Sequence, residues 1–130
     1  MPNATDMSPR YSAEELAYFR ELIERKKAQT REDLERMRQT VLDDIELGEV
    51  DSAYSYHMAD AGTDAMEREK IYLLIARAEK FLRYLDAALE RIERGTYGIC
   101  RECGRLIEKG RLEAVPHTQI CIECKRRQQS

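Results

Sequence analysis

Cys100, Cys103, Cys121 and Cys124 carry the clearest chemistry in the sequence, as two CxxC pairs, Cys100-Arg-Glu-Cys103 and Cys121-Ile-Glu-Cys124, separated by residues 104–120. A CxxC turn lets two sulfurs converge on one ion, and two such turns at this separation form the pattern of a four-cysteine zinc site. Gly104 follows the first pair and permits the tight backbone of a knuckle. The spacing predicts one structural Zn²⁺ on four thiolates. A filled tetrahedral shell leaves no position for a water, so the site lacks the feature by which zinc activates a nucleophile. A redox CxxC pair, two disulfides, or His117 replacing one cysteine are the alternatives. The doubled motif, without a thioredoxin-like βαβ pattern around it, favours the metal. The stretch from Gly95 to Ser130 is too short to bury much, so metal binding should supply about 10 kcal/mol of apparent folding free energy there.

Two long helices must position this module. Ser12-Ala13-Glu14-Glu15 reads as a capping box, in which the Ser12 hydroxyl accepts from the Glu15 amide while the Glu15 carboxylate reaches back. Neither Gly nor Pro occurs from Ser12 to Leu47, and apolar residues recur at helical spacing in Leu16, Phe19, Ile23, Leu34, Met37, Val41 and Ile45. Gly48 is the expected stop, giving a helix about 54 Å long. In the second helix Ile71, Ala78, Leu85 and Ile92 lie seven apart, flanked by Leu74, Phe81, Ala88 and by Ile75, Leu82, Leu89. That is a heptad seam with a widened apolar face, capped by Thr63 or Asp64 and ended by Gly95. Two long helices and one connection predict an all-α fold: a long antiparallel coiled-coil hairpin with a C-terminal four-cysteine zinc finger. The expected organisation is a flexible N-terminus at 1–11, the hairpin at 12–95 with its acidic tip at 48–64, and the zinc module at 96–130. Pairing within one chain, hence a monomer, is expected over an intermolecular coiled coil.

Composition narrows the function. Charged residues make up 36% of the 130 and aromatics 7%, with no Trp, so bulky apolar mass for a large globular core is scarce. There is no signal-like apolar segment at the start and no run long enough to span a membrane, and paired cysteines suit a reduced compartment; a cytoplasmic protein is expected. The net charge of −3 argues against generic attraction to nucleic acid. Residues 101–127 hold seven Lys or Arg against four acidic residues. Zinc with four thiolates contributes −2, leaving the module near neutrality, so sequence-specific DNA binding is not expected. From Asp43 to Asp64, by contrast, there are seven acidic residues and no Lys or Arg. Without a Gly-rich phosphate loop or a nucleophile beside a base, the chain does not read as an enzyme.

Gly98-Ile-Cys100-Arg-Glu-Cys103-Gly104, Arg111-Leu-Glu-Ala-Val-Pro116 and Cys121-Ile-Glu-Cys124-Lys125 closely resemble the zinc-finger signature of the DksA/TraR family. Asp60-Ala-Gly-Thr-Asp64-Ala65, followed by Met66-Glu-Arg-Glu, looks like that family's acidic tip. The resemblance implies a bacterial transcription regulator that binds RNA polymerase directly and inserts its coiled-coil tip into the secondary channel to modulate initiation. Carried over, the effector residues are Asp60, Asp64 and Ala65. The family's usual tip reads DxxDxA, whereas this chain reads DxxxDA, with Thr63 where the second Asp would stand. On a helix a one-residue shift turns a side chain by about 100°, and N-capping offers Asp64 a plain structural role. Some relatives respond to ppGpp through basic residues near the zinc module, including an Arg before the Pro of RLEAxP; Val115 stands there in this chain, which weighs against ppGpp dependence. The alternative reading is a zinc-capped coiled-coil adaptor for another protein partner.

Overall fold

The computed structural model describes residues 9–50 and 61–129, apart from the side chains of 46–50 and 61–64. Four helices form: α1 (Ala13–Val50), α2 (Ala61–Arg94), α3 (Lys109–Ala114) and α4 (Ile122–Gln129). The fold is the all-α hairpin with a cysteine module that the sequence predicts. Among the described residues the extended pairing amounts to one antiparallel bridge, Ile99 with Leu106. No helix described is long and apolar enough to cross a membrane.

The capping box forms as read. The Glu15 amide donates to Ser12 Oγ at 3.1 Å, and the Ser12 amide donates to Glu15 Oε1 at 3.0 Å. Gly48 does not stop α1, which runs on to Val50. A single interior Gly costs a helix only about 1 kcal/mol relative to Ala, which a long helix tolerates. At the other side α2 begins at Ala61, so Thr63 and Asp64 lie within its first turn rather than at the cap. Of the tip expected at 48–64, residues 51–60 lie outside the described ones. The C-terminus of α2 closes as a Schellman motif: Gly95 takes φ 77°, its amide donates to Ile92 O at 3.1 Å, and the Thr96 amide donates to Arg91 O at 2.9 Å.

The chain divides into two compact units, one formed by the residues up to Lys27 together with those from Arg83 on, the other by Ala28–Leu82. In the first, Phe19 and Ile23 of α1 and Leu85, Ala88 and Ile92 of α2 are buried along with Tyr97, Ile107 and Leu112. Phe19 meets Tyr97, while Lys27 pairs with Asp86 at 2.5 Å, so the helices run antiparallel here. Tyr11 belongs to this core, although the sequence reading placed it in a flexible terminus.

In the second unit Leu34 and Val41 are buried on α1, and Arg38 reaches across to Glu79 at 3.1 Å. Ile71, Ile75 and Ala78 of α2 are half-buried. Ile45 and Leu74, both read as part of the apolar stripes, are exposed. The flanking stripe Leu74, Phe81, Ala88 accounts for this difference, passing from 49% exposed through half-buried to 0%. A single partner helix covers only the narrow central seam of a heptad pattern; the flanking stripe is buried only where further residues pack on it.

Candidate metal centre

The cysteine module is built on short backbone turns. Cys100 O accepts from the Gly104 amide at 2.9 Å, with Gly104 at φ 75°, which closes the first CxxC into a knuckle. Its two limbs pair, the Cys100 amide donating to Arg105 O at 2.8 Å and the Ile107 amide to Gly98 O at 2.7 Å. The second CxxC lies at the start of α4, where Cys121 O accepts from the Lys125 amide at 3.0 Å. The Arg101 amide donates to Gln119 O at 2.9 Å and joins the two halves.

All four Sγ atoms lie within 4.8 Å of one another, and Cys103 Sγ is 3.7 Å from Cys121 Sγ. A tetrahedral site with Zn–S bonds of about 2.3 Å requires sulfur separations of about 3.8 Å, whereas a disulfide requires about 2.05 Å. The geometry fits the ion, and none of the four cysteines is joined in a disulfide. His117 does not join the cluster: its ring stacks on Tyr84 with centroids 5.3 Å apart and planes 6° from parallel.

Taken as thiols, the four cannot ionise alike. Burial pushes the Cys100 thiol up, but the amides of Cys121, Cys103 and Glu102 directed at its sulfur outweigh this and bring it down to about 6. Cys124 is pushed up to about 12, chiefly by its hydrogen bond to the Cys121 sulfur. A dication removes this spread, because its charge offsets the repulsion among neighbouring thiolates. The centre therefore holds a structural zinc, and its four-sulfur shell leaves no ligand position open for catalysis.

Contacts beyond the cysteine turns hold the module together and tie it to the helix pair. Tyr11 packs on Gly98 and donates its hydroxyl to Ile107 O. Tyr97, wholly buried, donates its hydroxyl to Pro116 O at 2.8 Å, and burial pushes its phenol well above the usual range. Arg91 donates to His117 O at 3.2 Å, and Arg111 Nε donates to Ile120 O at 2.8 Å. Lys109 Nζ lies 2.5 Å from the Glu15 carboxylate. Hydrogen bonds from Lys109 and then from Ser12 hold Glu15 down to about 2. None of these roles is visible in the cysteine spacing. Tyr11 alone has a sequence signal: an apolar residue immediately before the capping Ser12, with Leu16 four residues beyond it, is a hydrophobic-staple pattern.

Of the effector residues carried over from the resemblance, Asp60 lies outside the described residues. Asp64 is helical in backbone with its side chain outside them, and Ala65 is exposed on α2.

Comparison with known proteins agrees with this architecture. Residues 95–130 match the prokaryotic dksA/traR C4-type zinc finger. The chain is 27% identical over 114 residues to the RNA polymerase-binding transcription factor DksA of Escherichia coli, covering 85% of this chain and 69% of that one. It is 34% identical over 80 residues to general stress protein 16O of Bacillus subtilis, of which it spans 49%. Several curated relatives are thus matched over about half of their length or less. The solved structure of transcription factor DksA2 from Pseudomonas aeruginosa superposes with a TM-score of 0.74 at 30% identity, over 99% of this chain and 91% of that one. With the cysteine cluster, the helical hairpin and a relative matched nearly end to end all agreeing, the chain belongs to the DksA/TraR family.

Proposed function

We propose that this protein is a bacterial, cytoplasmic transcription regulator that binds RNA polymerase directly, its acidic segment entering the secondary channel to modulate initiation. The observation that carries this reading is the 30% identity to a DksA2 transcription factor across 99% of the chain. The charge pattern supports it: seven acidic residues and no Lys or Arg between Asp43 and Asp64, a stretch that includes the connection from α1 to α2. Carboxylates borne on long helices can approach a recessed, metal-containing centre that a globular surface cannot reach.

In this reading Asp60 and Asp64 are the effector groups and Ala65 their neighbour, with the one-residue shift of the second Asp tuning the effect. The zinc module fixes the base of the helices and does no chemistry. The exposed apolar residues on the helices, Leu42, Ile45, Leu73 and Leu74, suit a protein partner better than a nucleic acid. The protein acts as a monomer, without sequence-specific DNA binding and without dependence on ppGpp.

The test is binding of the zinc-loaded protein to core RNA polymerase from its host, with and without a known secondary-channel factor as competitor. Binding that the competitor displaces is expected, and Asp60→Asn with Asp64→Asn should then retain binding while losing the effect on promoter-complex lifetime. No detectable binding would overturn the polymerase reading. Retained transcriptional effects in the double variant would overturn the role of the acidic tip.

A further inference from the structure

The two limbs of the zinc knuckle, residues 98–100 and 105–107, are held together by the Ile99–Leu106 bridge, made of two hydrogen bonds, the Ile107 amide on Gly98 O and the Cys100 amide on Arg105 O. One side chain from far away in the sequence touches both limbs. Tyr11, the residue before the α1 cap, lies over Gly98 so closely that a Cβ there would sit 2.5 Å from Tyr11 Cδ2 and 2.6 Å from Cε2. Gly98 is also at φ 80°, a conformation that other residues rarely adopt. The same Tyr11 donates its hydroxyl to Ile107 O on the opposite limb. Its ring meets Phe19 with centroids 5.8 Å apart, and Phe19 meets Tyr97 at 5.5 Å, so the contact continues into the core between the helices.

We propose that Tyr11 is a latch on the zinc site: a positioning residue that pins the two knuckle limbs together and ties metal occupancy to the docking of the start of α1. Tyr11 is not a ligand. In this proposal the ion leaves by opening of the knuckle, which separates Gly98 from Ile107 and so breaks the Tyr11 contact with one or the other. Conversely, a knuckle relaxed by metal loss no longer presents the paired surface that Tyr11 needs. The first turns of α1 then lose an anchor, and the base of the helix pair senses whether zinc is bound. This concerns the metal centre alone and stands or falls independently of any polymerase contact.

The experiment measures the rate of zinc release from the full-length protein to an excess of a chromogenic chelator, for the wild type, Tyr11→Phe and Tyr97→Phe. Both variants delete one buried phenolic hydrogen bond in the same core. Only Tyr11 bridges the knuckle limbs, since Tyr97 bonds to Pro116 O. Tyr11→Phe should release zinc about fivefold faster than the wild type, the ratio that corresponds to one lost buried hydrogen bond. Tyr97→Phe should stay within twofold. Equal release from Tyr11→Phe and the wild type, or equal acceleration by both variants, would overturn the latch. Amide exchange of the wild type supplies the second readout: on chelation the amides of Leu16 to Ile23 should lose protection, and their unchanged protection after complete zinc removal would sink the coupling. Both variants keep the aromatic ring, so neither leaves a large cavity that would prevent folding.

Discussion

The two units of this chain use the same pair of helices to different ends. In the unit that includes the cysteine module, Phe19, Ile23, Leu85, Tyr97, Ile107 and Leu112 are all fully buried, and helices, knuckle and tyrosine hydroxyls close on one another. Among the described residues of Ala28–Leu82, the buried apolar side chains are Leu34 and Val41, while Leu42, Ile45, Met66, Tyr72, Leu73 and Leu74 are exposed. The difference teaches that a heptad pattern alone makes a helix pair but not a core. Helix formation is costly to nucleate and gains most of its stability from packing, so a two-helix segment with one narrow seam depends on being anchored elsewhere. Most of the exposed large apolar residues lie on the unit of Ala28–Leu82, with Tyr18 and Tyr84 the exposed ones on the zinc-bearing unit.

Removing the metal is the most severe way to break this comparison. Chelation, or Cys121→Ser, deprives the module of about 10 kcal/mol of apparent folding free energy. Amide exchange across residues 97–129 should collapse to unfolded rates, and retained protection there would mean that apolar packing, not zinc, holds the module.

A second, smaller effect contrasts the cores directly. Phe19→Ala, in the packed unit, should destabilise the zinc-loaded protein by about 3–5 kcal/mol in urea denaturation. Leu73→Ala, at 58% exposed, should change stability by no more than about 0.5 kcal/mol. Similar losses from the two substitutions would erase the distinction between the units.

The smallest effect sharpens the picture at the join between α1 and the module. Glu15 is held at about 2 against an ordinary value of 4.5, with Lys109 the leading cause. A carboxylate depressed by folding contributes its stability above its unfolded value, and that contribution is lost as pH falls through the folded one. The wild type should therefore melt slightly above Glu15→Gln at pH 7, and the gap should close between about pH 4.5 and pH 2. The gap is read while zinc stays bound, because loss of the ion unfolds the module that carries Lys109. A gap that does not begin to narrow below about pH 4.5, with zinc still bound, would show that the capping geometry, not the charge on Glu15, matters.

Much of this was legible before any coordinates. The cysteine spacing names the metal because four thiolates at two CxxC turns admit few other chemistries. Ser12 and Glu15 mark the start of α1 because a capping box is satisfied within four consecutive residues. The seven-residue spacing of Ile71, Ala78, Leu85 and Ile92 marks the seam because a helix imposes its own period. The helix ends near the turnaround were less legible. Gly48 and Asp64 carry strong local signals, yet α1 continues past one and α2 begins before the other. Local propensities of about 1 kcal/mol yield to the rest of a long helix.

What the sequence by itself determined is everything that repeats or closes within a few residues: the zinc ligands, the first cap, the helical stripes and the single-sign charge run. Only the tertiary structure decided which stripe residues are covered, that Leu74 faces solvent while Ala88 is sealed, and that Tyr11 belongs to the metal end of the molecule. It also decided that Tyr11 reaches Ile107, Lys109 reaches Glu15 and Arg91 reaches His117. The reason is physical. A ligand turn or a cap is specified by neighbours along the chain, whereas burial and long-range hydrogen bonds depend on which surfaces meet after the chain has folded back on itself.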